Sequence, residues 1–273
     1  PDDPLQGGRI VEMRDAYVEY RPFRLLNFRL GQFKAPYNGE TLLGDADLPF
    51  VTRSMATDGI NPPEAYGPRT GLTLGRQVGL MIFSDRLGGD AIGFRYMIAG
   101  VNGNGQNQLF NDSNPIAPVG RLELDLFRRV TIGVNGYYNI RTEGIRPNRL
   151  NVNQLGYGVD LALRLGAFRS LVGFLGRANT YSSSVLPPDS SLGMYAQVQY
   201  VFERIGLEAG FRFSWIEPST AQLQDRAWDY TALLGYRFKW VPLRAILQYT
   251  HREEEPAVTI GNDSIDFMVQ ATW

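Results

Sequence analysis

The chain has 273 residues, a net charge of −1, a single histidine and no cysteine. These values exclude a disulfide framework and thiolate chemistry, a histidine-rich metal site, and the strongly basic surface of a nucleic-acid-binding protein. No window approaches the run of about 18 to 20 apolar residues that a membrane-crossing helix needs, and the opening residues do not read as a signal sequence. Thirty glycines and 12% aromatic residues suit a protein of many strands and turns. Of 27 basic residues only Lys34 and Lys239 are lysine. Arginine offers a planar fork of donors that suits oxyanions, although a GC-rich coding bias accounts for the excess as readily.

Residues 1–8 read as a loop. Arg9 to Tyr20 and Arg24 to Ala35 alternate as strands about a tight connection at Arg21-Pro22-Phe23. From Pro36 to about Gly75 the periodicity stops. That stretch is rich in Pro and Gly, holds Glu40, Asp45, Asp47 and Glu64 beside Arg53 and Arg69, and carries enough Leu, Phe, Val, Met and Tyr to read as an ordered loop. Gln77–Ser84 and Ala91–Val101 then pair through Asp85–Asp90. After a loop at 102–118, Val119–Phe127 and Val130–Ile140 pair through Arg128-Arg129. A loop at 141–153 leads to a strand from Leu155 to Leu165 and, past Gly166, to Arg169–Thr180. In that last strand the parity is unclean, because Leu171 and Leu175 share a face with Arg177 and Asn179.

Beyond a Ser/Pro loop at 181–191, strands run from Leu192 to Tyr200, Leu207 to Trp215, Trp228 to Trp240 and Leu243 to Arg252. An acidic loop at 253–263 precedes the closing segment. In that segment Ile265, Phe267, Val269, Ala271 and Trp273 take one parity, against Ser264, Asp266, Met268, Gln270 and Thr272. No segment reads as a helix.

The pattern is about thirteen strands, all antiparallel by connection length: two to six residues, then nine to forty, in strict alternation. One face is apolar and aromatic, and the other carries ionised groups at mid-strand. A closed barrel in lipid accounts for both, apolar outside and wet inside. Aromatic residues gather at strand ends, as membrane girdles require: Tyr20, Tyr200, Tyr236, Phe238, Trp240, Tyr249 and Trp273. The expected fold is therefore all-β, a transmembrane antiparallel β-barrel and a single domain over residues 1–273. It belongs in a bacterial outer membrane, with lipid as its surroundings. Short turns face the periplasm and long loops face outward. An odd strand count that begins on the outer side implies at least one further strand ahead of Pro1.

Asp15-Ala16-Tyr17-Val18-Glu19-Tyr20-Arg21-Pro22, then Arg29-Leu30-Gly31-Gln32-Phe33-Lys34-Ala35-Pro36-Tyr37 with Glu40, resemble the phosphate-selective porin O and P family. So do Phe50-Val51-Thr52-Arg53-Ser54, Gly79 to Phe83, and Ala99-Gly100-Val101-Asn102-Gly103. The resemblance is specific over about residues 15–105. It implies a 16-stranded barrel, a homotrimer, and a third loop folded into the lumen as a constriction, where residues 36–75 would fall. Phosphate-binding members use lumenal arginines and a lysine cluster. Here lysine is nearly absent, and wall acids are about as numerous as wall bases.

The expected function is a porin, a passive diffusion channel for small polar or anionic solutes, phosphate-like anions among them. The candidate pore-lining residues are Arg29, Arg95, Arg121, Arg164, Arg212, Arg237 and Arg244, with Arg53 and Arg69 on the constriction loop. Fixed guanidinium groups in a narrow lumen lower the barrier to anions. For any single arginine, pairing with a wall acid such as Glu123, Asp160 or Asp229 is the competing and commoner role. The alternative function is a structural or adhesive outer-membrane barrel with a plugged lumen. Catalysis would rest on His251 alone, which sits among Glu253–Glu255 and reads as a solvated residue, so no enzyme is expected. No sequence motif points to a metal or cofactor.

Overall fold

The computed structural model describes residues 14–59, 71–104, 116–143, 149–182, 186–255 and 262–271. Its strands are β1 (Ala16–Phe23), β2 (Leu26–Lys34), β3 (Arg76–Phe83), β4 (Leu87–Gly88), β5 (Ile92–Val101), β6 (Ala117–Leu126) and β7 (Val130–Glu143). They continue as β8 (Leu150–Leu165), β9 (Phe168–Tyr181), β10 (Asp189–Phe202), β11 (Leu207–Glu217), β12 (Ala227–Arg237), β13 (Leu243–Glu254) and β14 (Ser264–Ala271). Thirteen of them form one antiparallel sheet in chain order, and the two-residue β4 pairs only with β5. Among the described residues no ladder joins β1 to β14, the two ends of the sheet.

The expected parity holds along the ladders. Ile98, Leu122, Val134, Leu155, Leu234, Leu247 and Ile265 are exposed, while Arg121, Asp160, Gln197, Glu208, Arg212, Asp229 and Gln248 are buried. This inverts the arrangement of a water-soluble sheet, whose apolar face covers the core. Aromatic residues mark both ends of the exposed face. Tyr200 and Phe202 touch edge-to-face at the short-turn end, as do Tyr236 and Phe238. At the long-loop end Trp215 pairs with Trp228, and Phe213 packs on Tyr230. From Leu207, opposite Tyr236, to Trp215 is about 27 Å along the strand at ~3.4 Å per residue. Once strand tilt is allowed for, that matches an apolar band about 25 Å tall.

The buried face wraps around the loop that joins β2 to β3. A single cluster of buried residues draws Phe33 from β2, Met81 from β3, Tyr137 from β7, Leu175 from β9, Tyr195 from β10 and Ala227 from β12, together with Met55, Ala56 and Leu72 of the loop. Laid flat, strands β2 to β12 would span about 43 Å at ~4.8 Å spacing. The sheet therefore curls, with its polar face inward.

Three sequence expectations are corrected. The loop contains two single helical turns, α1 (Gly39–Leu42) and α2 (Met55–Asp58), too short to show a periodicity. Strands β7 and β8 run on through Glu143 and from Leu150, into a stretch expected to be loop. There one face is polar, as in the Thr142–Asn151 side-chain bond of 3.1 Å, and on the other Val152 lies opposite Arg141, so no clean alternation signals the ladder. Strand β12 stops at Arg237 instead of Trp240, where the Phe238 amide bonds the Leu243 carbonyl and closes the turn. The expectation for Trp273 lies outside the described residues.

Candidate channel and its constriction loop

The segment from Ala35 to Gly75 leaves β2 and returns to β3, and the Ala35 amide bonds the Gly75 carbonyl across its neck at 2.9 Å. Between these ends its described residues lie against the inner face of the far wall. The Tyr37 hydroxyl donates to the Tyr157 carbonyl on β8 (2.8 Å), and the Gly39 amide donates to Asp160 on the same strand (3.0 Å). Tyr195 on β10 donates its hydroxyl to Asn38 (2.5 Å), and the Met55 amide bonds Ser214 on β11 (3.2 Å). On β13, Gln248 accepts from the Val51 amide (2.9 Å) and donates to the Thr52 hydroxyl (3.0 Å).

Inside the loop, Glu40 is buried and accepts from the Ser54 amide and from the hydroxyls of Ser54 and Thr57, which clamps α1 to the start of α2. The wall makes room for this packing. A Cβ on Gly193 of β10 would sit 2.9 Å from the Ala56 Cβ and 3.0 Å from Leu72.

Most candidate arginines are held by carboxylates or carbonyls. Arg29 pairs with Glu19 at 2.6 Å and lies over the Tyr17 ring. Arg95 and Arg121 share Glu123, and Arg121 reaches on to Asp160 at 2.6 and 2.7 Å. That reach crosses β7 over Gly133, where a Cβ would stand 2.2 Å from the guanidinium. Arg212 donates to the Thr52 carbonyl (2.5 Å) and stacks on Phe50. Arg237 and Arg244 share the fully buried Glu208, and Arg244 also holds the carbonyls of Leu48 (2.8 Å) and Pro49 (2.9 Å). Arg53 stays within the loop, bonding Asp45 (2.7 Å) and the carbonyls of Glu40 and Leu43. Arg69 lies outside the described residues. Arg164 alone among the wall candidates has an open guanidinium: among the described residues its side chain makes no ion pair or hydrogen bond.

Between the loop and the wall on the short-turn side lies a cavity of about 640 Å³. Arg86, Arg95, Arg121, Arg164 and Arg169 line it against Asp47, Glu123, Asp125 and Asp160, and Leu42, Leu43 and Pro49 of the loop form an apolar side. Arg86 is neutralised by Asp125 at 2.7 Å. Arg169, the backbone partner of Arg164 across the β8–β9 ladder, has no partner for its side chain among the described residues.

The loop's two key carboxylates are tuned in opposite directions. Burial, the largest influence on Glu40, pushes its carboxyl above the usual range, partly offset by Arg212 and by the hydroxyls of Ser54 and Thr57. Burial acts the same way on Asp45. There the hydrogen bond from Arg53 and the charges of Lys34, Arg53 and Arg14 outweigh it and hold the carboxyl at about 2.

Sequence reasoning missed Arg169, Tyr195, Gln248 and Glu208 as functional positions. The unclean parity of Arg169–Thr180 was the available signal. Leu171 and Leu175 face inward and are buried in the cluster that includes Met55, Ala56 and Leu72, so the inner wall is locally apolar. His251 is on the outward face, where it stacks on Tyr230 and lies 3.0 Å from Asp263.

Comparison with known proteins agrees with this architecture. The model of the family phosphate-selective porin O and P matches residues 2–113. No curated protein matches the chain. Among solved structures, the anion-selective porin from Comamonas acidovorans is similar at 9% identity, covering 91% of this chain and 69% of that one, with a TM-score of 0.63. The loop L8 deletion mutant of OmpT, an outer membrane protein of Vibrio cholerae, is similar at 12% identity over 91% of this chain and 76% of that one, with a TM-score of 0.57. In-vitro folded OmpT of Vibrio cholerae in its trimer form gives 10%, 90%, 76% and 0.55 on the same measures. Residues 2–113 thus match the model of that family, and the described strands share the fold of these outer-membrane porins.

Proposed function

We propose that the chain is a passive diffusion channel for small polar and anionic solutes, phosphate-like anions included, with residues 36–75 as its constriction loop. The carrying observation is the cavity of about 640 Å³ between that loop and the wall, where Arg164 and Arg169 stand unpaired among the described residues. Open guanidinium groups beside a polar path give anions a weak, multi-site foothold, which is what conduction requires. The paired arginines (Arg29, Arg95, Arg121, Arg212, Arg237 and Arg244) shape the field and anchor the loop.

The reading includes a barrel of 16 strands in the complete protein, short turns toward the periplasm, lipid against the exposed apolar face, and assembly as a homotrimer. The porin fold and the trimer form of one structural neighbour support these points. It assigns no enzymatic role, and His251 is taken as a surface residue. Planar-bilayer recording tests the proposal. Discrete chloride conductance with a reversal potential favouring anions is expected. Negligible conductance would favour the plugged-barrel alternative, and a cation-favouring potential would reject the anion path.

A further inference from the structure

The cavity beside the constriction loop is chemically two-sided. On its wall, Arg95 and Arg121 are tied to Glu123, and Arg86 to Asp125, so their charges are spoken for. Among the described residues Arg164 and Arg169 are not, and as direct partners on β8 and β9 both line the cavity. On its other side the loop contributes Leu42, Leu43 and Pro49, none of them fully buried. Five arginines against four carboxylates leave a surplus of one positive charge. That balance suits one negative charge better than a multiply charged oxyanion, which would need several free donors and would gain nothing from the apolar side. The volume lies within the range that holds small organic ligands.

We propose that this cavity is a binding site for an amphipathic organic monoanion. The carboxylate is held between Arg164 and Arg169, and the apolar body lies against Leu42, Leu43 and Pro49. The idea rests on the channel reading above and narrows it to a solute class: carboxylates carrying a ring or short hydrocarbon chain, in preference to inorganic phosphate.

The test uses the full-length protein in planar bilayers with chloride as carrier and benzoate, acetate or phosphate as added probe. Benzoate is expected to half-block the current at a concentration about tenfold below acetate or phosphate, the worth of a modest apolar contact. Replacing both arginines (Arg164→Gln with Arg169→Gln) should raise the benzoate concentration for half-block about tenfold, as loss of charge-assisted hydrogen bonds predicts. Leu42→Ser should move benzoate toward acetate while leaving acetate itself in place. Equal block by benzoate and acetate, strongest block by phosphate, or a benzoate block indifferent to the double substitution would each overturn the proposal. A protein that passes no chloride fails as a channel, and the site is then judged by calorimetry. Benzoate heat that is lost in the double variant upholds the site, and the absence of heat in the parent protein rejects it.

Discussion

Asp160 on β8 and Arg121 on β6 form a two-point ion pair, and the carboxylate oxygen nearer Arg121 Nη1 also accepts the Gly39 amide of the loop between β2 and β3. One wall carboxylate thus ties two strands that are not neighbours and seats the loop on them. Both side chains are buried. Removing one charge from such a pair leaves the other without compensation, at a cost of about 3 kcal/mol. Asp160→Asn should therefore lower the thermal unfolding midpoint in detergent, measured by loss of the compact form on semi-native gels. An unchanged midpoint would mean that Glu123 alone satisfies Arg121.

The close approach of α2 to β10 gives a steric test. Gly193→Val places methyl groups where Ala56 and Leu72 already stand. The sheet is a continuous ladder at this point, with Gly193 paired to Ile216 and Leu175, so the loop yields before the sheet does. Single-channel recordings should show a larger or noisier conductance than the parent protein, with little change in unfolding temperature. A conductance equal to the parent's would show that the loop does not set the pore width.

Glu208 is shared by Arg237 and Arg244, so the three groups together carry one positive charge. Glu208→Gln keeps the shape and one acceptor while raising the positive charge on the wall beside Leu48 and Pro49. Since a ring of fixed charge sets selectivity in a narrow pore, the reversal potential in a potassium chloride gradient should move toward the chloride equilibrium value. An unchanged reversal potential would show that the wall charge at Glu208 does not reach the permeation path.

The depressed Asp45 carboxyl sets a pH window for the loop. Its folded value of about 2 lies below the ordinary 3.8, so the stabilisation it contributes is complete above the ordinary value and is lost as pH falls through about 2. Glu40 shifts the other way, so its protonation at falling pH does not oppose the loop's closed form. Conductance should thus stay steady from neutral pH to about pH 4 and change only toward the lower limit. Asp45→Asn, which loses the charge that faces Arg14, Lys34, Arg53 and Arg76, should show the altered conductance already at neutral pH. Identical pH profiles for variant and parent would remove Asp45 from any role in holding the loop.

What the sequence determined by itself was the wall. Lipid on one side and water on the other force a period-two pattern on every spanning strand, so residues such as Ile98, Leu122 and Leu247 announce the outer face, and Arg121, Asp160 and Glu208 the inner one. The alternation of short and long connections shows which ends carry the loops. The tertiary structure decided what the inner residues do. Whether an arginine is a tie or an open foothold depends on which carboxylate or carbonyl another strand brings within reach. Arg121 finds Asp160 two strands away and Arg244 finds Leu48 and Pro49 nearly two hundred positions earlier, whereas the Arg164 side chain meets no carboxylate or carbonyl among the described residues. Alternation along a strand is a local quantity and carries no record of that pairing. The seat of the loop was written only as a blemish in the parity of β9, where Leu171 and Leu175 face inward because the apolar surface they meet belongs to Met55, Ala56 and Leu72 and not to lipid.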